Sequence, residues 1–313
     1  MERDVQTKQY LSVPERFADL INGVVCSGKN IIKPTDLQDM DSYTGTVGKG
    51  RKRSKIRYRD LVKKAALGIN FMVIGIENQE EVHYLMPLRC MSYDAGEYEK
   101  QAAAIREQTR QQSDISGAEF LSGFTKDSRL HPCMTLVLYY GKEWDGAKNL
   151  FSILDFTDIP KELQEAVNDY HIRVCEVCKF EDTGVFKTDL KQVFDCIRYS
   201  EDKEKLYELI TTDPAYRELQ EDTYDMIAEY TNTAELMEIG KFKDKGEKVD
   251  MCRAITELIQ DGRVEGRKEG RVEELIGTSR ELGSTWEATL ERLVRRLELS
   301  TETAEEYMKK YWH

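Results

Sequence analysis

Two acids and an amide in the first third of the chain stand where they could hold a divalent cation. Residues 71–76 form an apolar run with β-branched members, which predicts a short buried strand. Glu77 follows this run directly, Gln79 comes two residues later on the same face, and Asp60 precedes Glu77 by seventeen residues. Carboxylate oxygens are hard ligands that suit Mg²⁺, which normally takes only one or two of them. On spacing alone, Asp60 and Glu77 fit either a magnesium site or a surface hairpin that happens to carry two acids.

The spacing Asp60…Glu77-x-Gln79 resembles the PD-(D/E)XK nuclease superfamily, in its variant with Gln in the last position. The rest of the chain is similar to the Rpn family of recombination-promoting nucleases and putative transposases. The landmarks of this resemblance are residues 15–23, 32–37, 86–94, Tyr98 with Gln101, 136–141 and the C-terminal Gly-Arg-x-Glu repeats. They extend over nearly the whole chain.

The resemblance implies a fold, a cofactor and a reaction. The fold is α/β, with a restriction-endonuclease-like core in which helices flank a central mixed sheet, and a helical C-terminal extension. The cofactor is Mg²⁺, for which Mn²⁺ may substitute, and the substrate is duplex DNA. Asp60, Glu77 and Gln79 are the catalytic residues, with the two acids holding the metal and the amide positioning the attacking water. Gln79 departs from the usual Lys and supplies no positive charge.

The same resemblance points to further site residues. In this superfamily the first helix can contribute another metal-binding acid, for which Glu15 is the candidate and Asp19, one turn further on, is the alternative. A predicted helix from about Pro87 to about Gln112 carries a face that the resemblance turns toward the active site. That face consists of Arg89, Tyr93, Tyr98 and Gln101. From the sequence alone, a structural face with hydrogen-bonded tyrosines fits these residues equally well.

A basic block precedes Asp60 in a chain whose net charge is −12. The net charge argues against a wide nucleic-acid-binding surface, because affinity for phosphates depends on released counterions. Placement beside the predicted metal site favours a phosphate-facing loop, whereas blocks of like charge are also typical of solvated loops. The predicted DNA-binding residues in this block are Arg51, Lys52, Arg53, Lys55 and Arg57.

The predicted elements alternate between helices and strands, which indicates an α/β core. A helix is expected over residues 12–25, strands over 132–140 and 172–177, and a helix over 144–154. Residues 59–63 fit the first strand of a hairpin that closes through residues 66–70, whereas residues 61–67 also fit a helix. In the helical alternative, Asp60 would cap the helix and the metal geometry would be lost.

The C-terminal third is predicted to be helical, and the boundaries divide the chain into residues 1–195, 196–250 and 251–313. The last segment contains a four-residue repeat, Gly-Arg-x-Glu, that begins at Gly262, Gly266 and Gly270. On a helix the glycines form one stripe, which is either part of a solvated spacer or a seam for close helix packing. We also expect self-association through an apolar stripe of Leu275, Ile276, Leu282, Leu290, Leu293, Val294 and Leu297.

The composition excludes several classes of protein. No apolar stretch approaches the roughly 18 residues that span a membrane, and the N-terminus lacks a secretory layout, so we expect a cytoplasmic protein. Neither a Gly-rich phosphate loop nor a Ser-His-Asp or Cys-His arrangement emerges from the sequence. The leading hypothesis is a metal-dependent DNA endonuclease. The alternative is a nuclease-fold protein with weak or no catalysis that acts as a DNA-binding or assembly module.

Overall fold

The computed structural model describes residues 2–40, 43–44, 57–68, 70–111, 116–231 and 248–312. The chain divides into two compact units, Met1–Val249 and Asp250–His313. This division places the predicted 196–250 segment with the first unit, and the predicted boundary at residue 195 falls inside a helix. The second division predicted from the sequence, between residues 250 and 251, lies one residue from the observed one.

A five-stranded mixed sheet forms the centre of the first unit, with helices flanking it. Its strands are β1 (Leu37–Asp39), β4 (Leu61–Leu67), β5 (Asn70–Gln79), β6 (Cys133–Tyr139) and β7 (Arg173–Glu176), in the order β1-β4-β5-β6-β7. The first three strands are antiparallel, and β5, β6 and β7 are parallel. A separate two-stranded sheet pairs β2 (Tyr43–Thr44) with β3 (Arg57–Tyr58).

The helices of the first unit complete the α/β architecture. They are α1 (Glu2–Ser12), α2 (Pro14–Val24), α3 (Met86–Thr109), α4 (Gly117–Ser122), α5 (Lys161–Gln164), α6 (Leu190–Arg198), α7 (Lys203–Thr212) and α8 (Glu221–Tyr230). Helix α3 connects the parallel strands β5 and β6, as parallel strands require. The strands β5 and β6 carry near-continuous apolar runs because both of their faces are covered.

The hairpin β4–β5 decides between the two predictions for residues 59–67. Leu61 pairs with Ile76 and Leu67 with Asn70, so these residues form a strand and not a helix. The turn between the strands contains Gly68, which has a φ of +65°, a backbone conformation that glycine adopts without strain. Asp60 therefore precedes a strand, as the metal-site hypothesis requires.

Two sequence-based expectations of local structure were wrong. Residues 144–154 do not form a continuous helix, because the backbone of Lys148 and Leu150 bonds to residues 170–172 and only Phe151–Ile153 forms a short 3₁₀ turn. The first helix was expected to begin at residue 12, but Ser12 ends the preceding helix α1, whose low apolar content gave no periodic signal. The chain then re-enters a helix at Pro14, in the position that proline favours.

The second unit consists of three helices, α9 (Met251–Glu281), α10 (Trp286–Leu297) and α11 (Thr301–Tyr311). Their apolar side chains form one cluster, with Val272, Ile276, Leu293 and Met308 fully buried. Most of the apolar stripe that suggested self-association packs inside this cluster, because α11 covers what a hairpin of two helices would leave open. Leu282 remains 73% exposed, so an oligomer through the whole stripe has no support.

In the residues that the structure describes, no helix combines the length and apolar character needed to cross a membrane.

Candidate metal and nuclease site

The β4–β5 hairpin brings Asp60 and Glu77 together at one end of the sheet. The register pairs Leu61 with Ile76, so the next position outward sets Asp60 opposite Glu77. Residues facing each other on neighbouring antiparallel strands have Cβ atoms about 5 Å apart. The backbone N–H of Asn78 donates to Asp60 Oδ2 at 2.7 Å, which fixes the Asp60 side chain beside the end of β5. Two acids that are seventeen residues apart in sequence are thus neighbours in space.

Glu77 is a buried carboxylate with incomplete hydrogen bonding. Its side chain is fully buried, and its Oε1 atom has no hydrogen-bond partner among the described residues. Its Oε2 atom lies 3.5 Å from Arg89 Nη2, within ion-pair range but at the outer limit of a hydrogen bond. Burial raises the pKa of Glu77 to about 7, and the negative charge of Asp60 adds to this shift, against the opposing effects of Arg89, a Tyr93 hydrogen bond and Arg59. A cation that contacts the free Oε1 atom would stabilise the ionised form of Glu77.

Lys8 supplies a cation to the other acid of the pair. Its Nζ lies 2.9 Å from Asp60 Oδ1 and 2.8 Å from Asp4 Oδ2. Burial lowers the pKa of Lys8, but the hydrogen bonds and charges of Asp4 and Asp60 outweigh that effect, so the pKa is raised overall. Sequence reasoning missed Lys8 because it missed α1. The only signal was the acid-to-lysine spacing of four residues between Asp4 and Lys8, which is typical of a helix surface.

A buried ion pair lies beneath the site, between the sheet and α3. Arg59 Nη2 donates to Asp94 Oδ1, and Asp94 also accepts from Thr135 Oγ1 at 3.0 Å and from Tyr170 Oη at 2.5 Å. Arg59 belongs to the basic block of the sequence, but only 2% of it is exposed. It therefore lies in the interior and anchors the position before Asp60, although its Nε and Nη1 atoms have no hydrogen-bond partner among the described residues.

Gly75 makes room for this arginine. A Cβ atom at position 75 would lie 2.6 Å from Arg59 Cδ and 2.9 Å from Arg59 Nε. Any side chain there would displace the guanidinium from Asp94. A glycine in the middle of a strand weakens the strand. Its presence in β5 is explained by the space that the Arg59 side chain occupies.

The predicted face of α3 divides into two parts. Arg89 lies at the site, where its Nε donates to Tyr93 Oη at 2.7 Å and its Nη2 approaches Glu77. Tyr98 and Gln101 instead bind the start of β6, because Tyr98 Oη accepts from Cys133 N at 3.1 Å and Gln101 Oε1 accepts from His131 N at 2.7 Å. Cys133 pairs with Val73, four residues along β5 from Glu77 and thus about 13 Å away.

This arrangement reconciles the two interpretations of the α3 face. The N-terminal pair, Arg89 and Tyr93, faces the predicted active site. The pair further along, Tyr98 and Gln101, has the structural role of hydrogen-bonding a strand end. Gln79 lies on the Glu77 side of β5 by its spacing, and its Nε2 donates to the carbonyl of Asn78 at 2.8 Å.

The first-helix acids are engaged elsewhere. Asp19 is buried and accepts from Lys187 N, Thr188 N and Thr188 Oγ1 at 2.7–2.9 Å, so it fixes the loop before α6. Glu15 is exposed and lines a cavity of about 430 Å³ whose lining includes neither Asp60 nor Glu77. Within the described ranges no contact joins Glu15 to the acid pair. A role for Glu15 as a third ligand has no geometric support.

The predicted DNA-binding residues fall mostly outside the described chain. Arg51, Lys52, Arg53 and Lys55 lie in the segment 45–56, which the structure does not describe. Arg57 is described as part of β3, where its backbone pairs with Thr44. Their role in binding phosphates stays a prediction.

The donor set fits a magnesium-type ion to a limited extent. Across the described residues there is no group of three or more His, Cys, Asp and Glu side chains that could hold a metal. Two carboxylates from adjacent strands are nevertheless enough for Mg²⁺, which keeps several waters as ligands. The unpartnered Oε1 of buried Glu77 is the atom that a cation would satisfy. We therefore regard Asp60 and Glu77 as the residues that would hold the ion, beside the amide of Gln79.

The class of protein that the fold defines is a mixed α/β domain followed by a small helical unit. In comparisons with family models, curated proteins and solved structures, none matches this chain.

Proposed function

We propose that this protein is a metal-dependent DNA endonuclease of the PD-(D/E)XK type, related to the recombination-promoting Rpn family. The observation that carries the proposal is Glu77. It is a fully buried acid with a pKa raised to about 7 and one unpartnered oxygen, and it stands across a β-hairpin from a second acid. Strongly perturbed carboxylates next to a second acid are concentrated at functional sites.

The residues of the site take distinct roles in this proposal. Asp60 and Glu77 hold the ion, and Gln79 orients a water molecule through its amide. When bound, Mg²⁺ or Mn²⁺ supplies charge neutralisation at the scissile phosphate and makes water a stronger acid. Arg89 sits beside Glu77 with its side chain 33% exposed, where it can bind a phosphate oxygen of duplex DNA.

Lys8 provides the positive charge that Gln79 lacks. Its Nζ lies 2.9 Å from Asp60 Oδ1. In the proposed reaction, Lys8 stabilises negative charge that develops on the phosphate. Its half-exposed position leaves the ammonium group free to exchange Asp60 for the substrate.

The test compares two buried glutamates. Purified wild type, Glu77→Gln and Glu97→Gln are incubated with supercoiled plasmid in Mg²⁺, in Mn²⁺ and in EDTA. Glu97 is the matched control, because it is also buried but pairs with Lys100 on α3, away from Asp60. We expect wild type and Glu97→Gln to nick DNA with either metal. Glu77→Gln should be at least about a hundredfold slower, since a metal contributes several kcal/mol of transition-state stabilisation.

Equal nicking by wild type and Glu77→Gln would assign the activity to another site or a contaminant. A wild type that binds duplex DNA but cleaves it with neither metal would support the second candidate, a binding or assembly module. The Lys8–Asp60 ion pair favours that candidate, because it neutralises one of the two acids without a metal. The neutral Gln79 also favours the binding or assembly module, because it supplies no positive charge.

A further inference from the structure

The C-terminal unit contains a basic groove between α9 and α10. Two adjoining cavities, of about 450 Å³ and about 460 Å³, share Arg271, Arg296 and Leu297 in their lining. We call the combined feature the arginine groove. Its cationic side chains are Arg267, Lys268, Arg271, Arg292 and Arg296, and the acids in its lining are Glu274 and Glu298.

The cations of the arginine groove outnumber the acids in its lining by five to two. Within the ranges that the structure describes, none of the five forms an ion pair. The neighbouring acid Glu269 is instead bound by Lys310 from α11, whose Nζ lies 3.2 Å from Glu269 Oε1. Arg292 is held in place through Nη1, which donates to the buried Ser279 Oγ at 3.3 Å. Its remaining N–H groups are left for a ligand.

This concentration of positive charge runs against the composition of the chain, whose net charge is −12. Like charges gathered in one concave site repel each other, and a bound anion removes that cost. The groove is also lined by the hydroxyls of Thr278 and Ser279. An uncompensated cluster with neutral donors beside it is suited to an anion with several oxygen atoms.

The sequence repeat determines the spacing of the groove. Arg267 and Arg271 are the arginines of successive Gly-Arg-x-Glu units, so they lie one above the other on α9, about 6 Å apart along the helix axis. A Cβ atom at Gly266 or Gly270 would meet no atom within 4 Å, so a ligand can approach the helix backbone beside the arginines. Repeated cations at this interval match a ligand that carries several phosphates better than one with a single charge.

We propose that the arginine groove binds a chain of phosphates, through the planar forks of Arg271, Arg292 and Arg296. The shared chemistry is the phosphate group, which either a nucleic-acid backbone or a small polyphosphate provides. The proposal does not rest on nuclease activity, because it involves neither Asp60 nor Glu77. It gives the repeat a role other than that of a spacer or a packing seam.

The test uses the full chain in EDTA, where no metal-dependent cleavage takes place. A double variant, Arg271→Gln with Arg296→Gln, is compared with a control double variant, Arg280→Gln with Arg295→Gln. The control pair lies on the same two helices, is exposed and carries the same charge, but lies outside the groove lining. Melting curves and circular dichroism confirm that both variants are folded.

Binding is measured by fluorescence anisotropy with a labelled single-stranded oligothymidylate, and by competition with tripolyphosphate and with a polyglutamate peptide. We expect the groove variant to bind the oligonucleotide about tenfold or more weakly than the control, since hydrogen bonds to charged groups are the strong ones. Its log–log salt dependence should flatten by about 1.4, from two lost contacts at about 0.7 each. Tripolyphosphate should displace the oligonucleotide from wild type.

The outcomes separate the two sources of phosphate. Loss of oligonucleotide and tripolyphosphate affinity together supports a nucleic-acid backbone in the groove. Loss of tripolyphosphate affinity alone, measured directly by calorimetric titration, assigns the groove to small polyphosphates. Identical behaviour of the groove and control variants toward both probes overturns the proposal, and so does displacement by polyglutamate as efficient as that by tripolyphosphate.

Discussion

Asp94 and Glu77 are buried carboxylates at the same interface between the sheet and α3, and the protein satisfies them very differently. Asp94 accepts from Arg59, Thr135 and Tyr170, so both of its oxygens are bonded. Glu77 has one unpartnered oxygen, beside a Tyr93 hydrogen bond and an arginine 3.5 Å from its other oxygen. All the oxygens of Asp94 are bonded inside the protein, as is usual for a structural acid. A buried oxygen without a partner costs free energy, and a ligand that contacts it would remove that cost.

The largest expected effect concerns the satisfied acid. Asp94→Asn removes the counterion of buried Arg59 and should lower the free energy of unfolding by about 3–5 kcal/mol, the usual cost of an uncompensated buried charge. Urea denaturation of Asp94→Asn, with wild type and Glu97→Gln as references, measures this loss. A loss below about 1 kcal/mol would remove the distinction between the two acids.

At Glu77, by contrast, we expect a substitution to raise the free energy of unfolding. Its pKa in the folded protein, about 7, is above the ordinary value of 4.5, so the folded state holds the proton more tightly than the unfolded state. The stabilisation that comes from this tighter proton binding is fully present below about pH 4.5 and is lost as the pH rises through about 7. At about pH 8 in EDTA, Glu77→Gln should therefore be more stable than wild type by about 3 kcal/mol.

That advantage of Glu77→Gln should vanish near pH 5, where wild-type Glu77 is protonated. Paired urea titrations at the two pH values measure both differences. A variant that is less stable than wild type at the higher pH would show that Glu77 is a structural acid like Asp94.

A metal should roughly halve the stability advantage of Glu77→Gln over wild type at about pH 8. Because an ion that binds only the folded protein stabilises it by mass action, Mg²⁺ at ten times its Kd should add about 1.4 kcal/mol to wild type at about pH 8. Glu77→Gln should gain nothing, and Asp94→Asn should respond as wild type does. Thermal melts with MgCl₂, and with KCl matched in ionic strength as the control, give the comparison. Equal Mg²⁺ responses in wild type and Glu77→Gln would locate the ion elsewhere.

The smallest effect is expected at Lys8, whose ion pair with Asp60 is partly exposed, with 33% of the lysine side chain and 14% of the aspartate side chain accessible. Lys8→Met should change the free energy of unfolding by about 1 kcal/mol, because water screens the lysine end of the pair. It should also tighten Mg²⁺ binding, because a competing cation leaves Asp60, while DNA cleavage slows. Calorimetric titration and the plasmid assay are the measurements, with Lys8→Arg as the charge-preserving control. Weaker Mg²⁺ binding in Lys8→Met would contradict this account.

The sequence predicted the strands of the site well and their surroundings less well. The apolar runs that became β5 and β6 are buried on both faces, so their composition alone indicated strands. The ambiguity at residues 59–67 had a physical cause. Lys63 is buried in β4 through an ion pair with Asp39 and lies over the Phe17 ring, so the strand lacks a clean alternation. Only pairing with β5 shows it to be a strand.

The partners of the site residues were harder to predict, because they come from distant parts of the chain. Asp60 meets Lys8 from α1, and Asp94 meets Tyr170 from the loop before β7. No local spacing encodes such contacts. Arg59 shows the converse problem. Its place in a basic block suggests a surface residue, but its side chain packs against Gly75 and only 2% of the residue is exposed.

The close approach of Arg59 to Gly75 also constrains how this sequence can vary. With less than 3 Å between the Arg59 side chain and any new Cβ atom, a substitution at position 75 requires that side chain to move or position 59 to become smaller. Either change weakens the pairing of buried Asp94 with its counterion. The three positions therefore form an epistatic set, so that in a library of variants the cost of a change at one of them should depend on the residues at the other two.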